Sequence, residues 1–151
     1  MRNKGFSLIE LIVVLIVISL SISLVAPSLS RFSKTVELKG AAKKVSGILR
    51  YCRSEAVNKG HNYQVLFDSD IREVKVQSMV SEEEKRKDPV KTYVIPDGIQ
   101  MKGVNLIEFY SNGGSNGGTI LLDSKDHKGY KIKVQFLTGM VEIEKVEGLG
   151  R

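Results

Sequence analysis

The sequence has one cysteine, three prolines and no tryptophan among its 151 residues. A lone cysteine cannot close an intrachain disulfide, which excludes a disulfide-stapled scaffold, and no CxxC or Cys/His cluster offers ligands for structural zinc. No GxSxG or HExxH motif occurs, and His61 and His127 have no second His or Cys at ligand spacing. The chain therefore reads as a non-enzyme without metal or cofactor. A hydrophobic share of 42% and a charged share of 26% exclude wholesale disorder and collagen-like repeats and fit one modest domain.

What is present is segregated. From Phe6 to Ala26, 16 of 21 residues are apolar. As an α-helix this run would measure roughly 30 Å, the thickness of a bilayer hydrocarbon core. The preceding Met1-Arg2-Asn3-Lys4-Gly5 carries two positive charges and no acid, so the expected topology is N-terminus inside and the rest outside the cytoplasm. Glu10 lies near the start of the run, where an unpaired carboxylate costs on the order of a few kcal/mol unless it is close to the interface. A secretory signal peptide has a shorter apolar core without an acid. Ser28-Leu29-Ser30 nevertheless offers a small-x-small cleavage pattern, which leaves a soluble secreted domain as one alternative.

The net charge of +6 is mostly the property of one segment. Eight basic residues (Arg31, Lys34, Lys39, Lys43, Lys44, Arg50, Arg53, Lys59) stand there against Glu37 and Glu55, while the chain from Gly60 onward is close to neutral. Such a stripe suits nucleic acid, lipid headgroups or subunit contacts. Pro27 bends or interrupts a helix. Beyond it Leu29, Phe32, Val36, Ala41, Val45, Ile48 or Leu49, Cys52 and Ala56 recur at steps suited to one helical face, with Gly60 as the stop. Cys52 is expected to be a small buried hydrophobe.

After Gly60 the period shortens to that of strands. Tyr63–Phe67 and Ile71–Met79 alternate around an Asp68-Ser69-Asp70 turn, and Ser81–Asp88 reads as a charged solvated loop. Further strands are expected at Lys91–Ile95, Val104–Tyr110, Thr119–Leu122, Tyr130–Leu137 and Met140–Ile143, the last two joined by Thr138-Gly139. The glycine-rich Ser111–Gly118 has no following Gly-Lys-Ser/Thr and no helix to cradle phosphate, so a flexible hairpin is expected. Asp68-Ser69-Asp70 and Asp123-Ser124-Lys125-Asp126 fit plain turns better than calcium loops. The fold class is α+β: a long N-terminal helix, membrane half plus amphipathic half, packed on an antiparallel β-sheet or small β-sandwich.

The segment Lys4-Gly5-Phe6-Ser7-Leu8-Ile9-Glu10 resembles the class III signal of type IV pilins and of the pseudopilins of type II secretion systems. The resemblance implies that prepilin peptidase, a membrane aspartyl peptidase, cuts after Gly5 and that the new N-terminus, Phe6, is N-methylated. It also implies that Glu10 meets the α-amine of a neighbouring subunit during assembly and that Pro27 kinks the helix. Farther on, Phe109, Gly113-Gly114, Gly117-Gly118-Thr119-Ile120, Tyr130–Val134 and Thr138-Gly139-Met140-Val141 are similar to the C-terminal domain of the GspH/FimT group. Met140 departs from the Arg often found after that Thr-Gly pair, and only Gly150-Arg151 stands where some members carry a basic DNA-binding motif.

Together these imply a cleaved leader at 1–5, a transmembrane helix at 6–26, an amphipathic helix at 27–60 and a β domain at 61–151. The implied function is that of a minor pseudopilin, a structural subunit of a type II secretion pseudopilus. A minor type IV pilin for pilus assembly or DNA uptake is the alternative. Expected partners are prepilin peptidase, other pseudopilins or pilins, the bacterial inner membrane and, less strongly, nucleic acid.

Overall fold

The computed structural model describes residues 6–80, 90–124 and 128–147, with residues 24–32 described by their backbone alone. The charged loop at Ser81–Asp88, His127, Asp126, Gly5 and Gly150-Arg151 lie outside the described residues. The chain divides into two compact units, Met1–Val36 and Glu37–Arg151.

Helix α1 runs Leu8–Lys59 without a break at Pro27. It ends where Gly60 adopts a φ of 70°, the left-handed conformation that glycine reaches without a Cβ penalty. The last turn is tied by Lys59, which pairs with Glu55 at 2.8 Å and donates to Tyr63 Oη at 3.1 Å.

In the second unit, Leu38, Ala42, Val45, Leu49, Cys52 and Ala56 are buried at alternating steps of four and three, a single stripe along α1. Ala41 and Ile48 flank this stripe, also buried. Val36, expected on the same face, is 52% exposed because it precedes the packed stretch. The stripe joins one hydrophobic core with two four-stranded antiparallel sheets. The second half of the helix therefore belongs to the same compact unit as the strands that follow it.

The first sheet has the order β3-β2-β1-β5, built from β1 (Tyr63–Asp68), β2 (Glu73–Ser78), β3 (Lys91–Val94) and β5 (Leu106–Phe109). The second has the order β4-β6-β7-β8, built from β4 (Ile99–Gly103), β6 (Gly118–Ser124), β7 (Lys128–Val134) and β8 (Val141–Glu147). Alternation puts Val65, Val76 and Ile107 into register across the first sheet and Ile120 opposite Ile132 in the second, all buried.

Strand β4 escapes the sequence reading, which passes from a strand at Lys91–Ile95 directly to one at Val104–Tyr110. Its burial does alternate, with Ile99 and Met101 inside and Gln100 and Lys102 outside, but the run is short and sits between glycines. Gly103 is required at its end: with φ at 124°, a Cβ there would collide with Thr119 O.

The exposed edges are blunted. Asn116 covers β5, its Oδ1 accepting from Glu108 N–H at 2.9 Å while its own N–H donates to Glu108 O at 3.2 Å. These are groups that a foreign strand would otherwise pair with. At the other sheet's edge, β8 carries exposed Glu142, Glu144, Lys145 and Glu147, charges that discourage strand addition.

Candidate functional site

In the first unit, Ser7 immediately precedes helix α1. Glu10 N–H donates to Ser7 Oγ at 3.2 Å, and Leu11 N–H donates to Ser7 O at 3.3 Å. Ser7 is thus the N-cap and Glu10 the third helical residue, the Ser-x-x-Glu arrangement of a capping box. That pattern is legible in the sequence as Ser7-Leu8-Ile9-Glu10. It places the Glu10 carboxylate in the first turn, where the positive end of the helix dipole favours an anion.

From Phe6 to Ile22 every large apolar side chain is exposed, on all sides of the helix. The serines interrupting this surface are satisfied internally: Ser19, Ser21 and Ser23 donate to the carbonyls of Leu15, Val17 and Ser19 at 2.8, 2.8 and 2.9 Å. Their hydroxyls therefore need no water, which suits a helix in lipid or among other helices. Among the described residues no helix is both long and apolar enough to cross a membrane. Within this apolar run the described side chains stop short of residues 24–32.

In the second unit, the glycine-rich loop and the Thr-Gly turn, far apart in sequence, meet at Arg53. Its Nε donates to Thr138 O at 2.8 Å and to Gly113 O at 3.3 Å. Gly139, with φ at 60°, sits so close that a Cβ would lie 2.6 Å from Gly113 O and 3.1 Å from Arg53 Cδ. The loop is also held from within, by Asn112 Oδ1 accepting from Gly114 N–H at 2.9 Å and by Ser115 N–H donating to Phe136 O at 2.9 Å. Gly113, Gly114 and Ser115 are buried, so the hairpin expected to be flexible is a pinned structural joint.

The basic stripe is partly spent on the fold. Arg50 Nη2 donates to Val141 O at 3.2 Å, Lys44 lies 5.6 Å from the centre of the Tyr93 ring, and Lys59 pairs with Glu55. With Arg53, four of its members work inside the subunit. Lys34, Lys39 and Lys43 are exposed. Only their position on the long helix was visible in sequence; the engagement of Arg50 and Arg53 depends on Val141, Thr138 and Gly113, which lie 91, 85 and 60 residues away.

Cys52 is fully buried on the apolar stripe. Asp68 Oδ1 accepts from Asp70 N–H at 3.1 Å and from Ile71 N–H at 3.2 Å, the bonds of an ordinary Asx turn. Asp123, buried, faces Lys102 Nζ at 3.7 Å. Among the described residues, no three His, Cys, Asp or Glu side chains gather to hold a metal ion.

Residues 1–26 match the prokaryotic N-terminal methylation motif. The chain is 27% identical over 138 residues to type II secretion system protein H of Xanthomonas campestris pv. campestris, covering 91% of this chain and 81% of that protein. It is 33% identical over 72 residues to the protein of the same name in Pseudomonas aeruginosa, covering 48% and 42%. Its fold resembles the minor pseudopilin EpsH of the Vibrio cholerae type 2 secretion system (TM-score 0.60, 15% identity, 72% of this chain and 96% of that one). It is equally similar to the type IV minor pilin FimU of Pseudomonas aeruginosa (TM-score 0.60, 19% identity, 75% and 92%). Motif, relatives and fold agree in their likeness to GspH/FimT-like minor pseudopilins.

Proposed function

We propose that the protein is a structural subunit of a type II secretion pseudopilus. Prepilin peptidase cuts after Gly5, Phe6 becomes the methylated N-terminus, and residues 6–26 anchor the subunit in the bacterial inner membrane with its β domain outside the cytoplasm. Pro27 kinks the helix beyond that span. The observation that carries this reading is the helix apolar on every side, bearing one acid in its first turn.

Such a helix is stable only where its whole circumference is shielded from water, first by lipid and then by neighbouring helices. Glu10 in that setting calls for a cationic partner, and the free α-amine of an adjacent subunit supplies one. An ion pair at low dielectric is strong when its geometry is good, and one left unpaired is costly. Glu10 thereby selects the register in which subunits join. Replacing Glu10 with Ala should preserve membrane insertion and abolish incorporation into sheared filaments; incorporation at the parent level would remove the register role.

A second reading is a minor type IV pilin for pilus assembly or DNA uptake. The equal fold likeness to FimU and the exposed Lys34, Lys39 and Lys43 support it.

A further inference from the structure

We propose that Asn112 and Asn116 are deamidation sites which the folded glycine-rich loop holds shut, so that their conversion marks chains whose loop has come open. This goes beyond a role in a filament and holds whatever assembly the subunit joins.

Asn112-Gly113 and Asn116-Gly117 are the two Asn-Gly pairs of the chain. Such a pair is chemically labile when unhindered, because glycine has no Cβ to shield its nitrogen from the asparagine side chain. The glycine nitrogen, having lost its proton, adds to the asparagine Cγ; the Cγ–Nδ2 bond breaks, and ammonia leaves with that proton. Water then opens the five-membered imide at either carbonyl, giving aspartate or isoaspartate. Both asparagines are exposed, so water reaches them. Sequence and exposure alone would make both labile in the folded chain.

The hydrogen bonds of the loop oppose this. Ring closure needs a nitrogen free to lose its proton and a side chain free to swing Cγ over it. Gly113 N–H donates to Tyr110 O at 2.9 Å, and Gly117 N–H donates to Ser115 Oγ at 3.0 Å, so each proton is held. Asn112 Oδ1 accepts from Gly114 N–H and Asn116 Oδ1 from Glu108 N–H, both at 2.9 Å, so each side chain is tethered away from closure. Asn116 Nδ2, the group that would leave, donates to Leu106 O at 3.5 Å. Ser115 is only 1% exposed, so water does not compete for its hydroxyl. The lock at Asn116 therefore depends on β5 being in place, because Leu106 and Glu108 belong to that strand.

Conversion at Asn116 has a structural consequence. Isoaspartate adds a methylene to the main chain, and either product lacks the Nδ2 donor. The edge of β5 that Asn116 covers is then open to strand addition. A chain left unfolded before assembly thus acquires a fault that refolding does not erase.

The test incubates the full-length chain in detergent at neutral pH, with and without guanidinium chloride, and locates conversion by fragment masses. Both amides should be lost in denaturant while the folded chain keeps both over the same interval. Ser115→Ala removes the acceptor of Gly117 N–H, and the residue 115 backbone can still donate to Phe136 O. In a longer incubation, folded Ser115→Ala should convert at Asn116 about fivefold faster than the folded parent, the factor matching a lost hydrogen bond of about 1 kcal/mol. Asn112 should be unaffected, and in denaturant variant and parent should convert alike. A folded parent that loses its amides at the denatured rate overturns the proposal. So does folded Ser115→Ala that converts at Asn116 no faster than the parent, or that speeds both sites equally.

Discussion

Arg53 on helix α1 donates to the carbonyl oxygen of Thr138 at 2.8 Å, fastening the last hairpin to the helix across 85 residues of chain. The same nitrogen reaches Gly113 O at 3.3 Å, so one side chain joins helix, glycine-rich loop and terminal turn. Truncation to Ala leaves two carbonyls to find other donors and should cost about 1–2 kcal/mol, read as an earlier urea midpoint of the detergent-solubilised chain. Arg53→Lys keeps the charge but not the fork, and should recover only part of that loss. An unchanged midpoint for Arg53→Ala would show that the joint carries no stability.

Gly139 should be less tolerant of change than Arg53. A Cβ there meets Gly113 O at 2.6 Å on a left-handed backbone. The conformation alone costs a non-glycine residue about 1–2 kcal/mol, before the close contact is relieved. Gly139→Ala should thus destabilise more than Arg53→Ala in the same assay. Gly60→Ala, also left-handed but with open space around it, should cost less than Gly139→Ala. The reverse order would contradict the packing described.

Cys52 should be inert while the chain is folded, because it is sealed in the apolar stripe of α1. A thiol reagent should label it only after denaturant is added, and rapid labelling of the native chain would place it elsewhere.

At the end of β8, Glu147 holds the Lys145 ammonium above its ordinary pKa by a hydrogen bond and by charge, and Lys145 holds the Glu147 carboxyl below its own. A lowered carboxyl pKa contributes stability above the unfolded value and loses it as pH falls through the folded one. The raised ammonium loses its contribution only as pH rises through its folded value. The difference in unfolding midpoint between the parent and Lys145→Gln should therefore stay constant from about pH 6 to 8. It should shrink as acid protonates Glu147, and a change near neutrality would contradict the pairing.

For nucleic acid, Arg50, Arg53, Lys44 and Lys59 make contacts within the subunit, while Lys34, Lys39 and Lys43 are exposed members of the stripe. Any retention of duplex DNA at low salt should fall when these three are changed to Gln, and should vanish near about 0.15 M salt. Tight binding that survives both would favour the DNA-uptake reading.

Much of this was legible in the sequence because the signals were local. The apolar run, Glu10, the stop at Gly60 and the alternating strands each depend on neighbours a few residues away. The exceptions were set by distant contacts. Strand β4 is identifiable only once Met101 is seen opposite Leu122. Arg53 looked like surface charge because its acceptors lie 60 and 85 residues downstream. The glycine-rich loop looked flexible because composition does not reveal that Phe136 O and Asn112 Oδ1 hold it. At the candidate site, the Ser7–Glu10 spacing is local, and the bond from Glu10 N–H to Ser7 Oγ shows it to be a helix cap as well as a charge in an apolar run.

The central claim is that the apolar helix is kept and put to use. The most direct measurement is the mass of the protein purified from its native membrane. The account predicts a polypeptide that begins at Phe6, carries one added methyl group and retains residues 6–26. A chain beginning at Arg31, or one lacking residues 6–26, would contradict it.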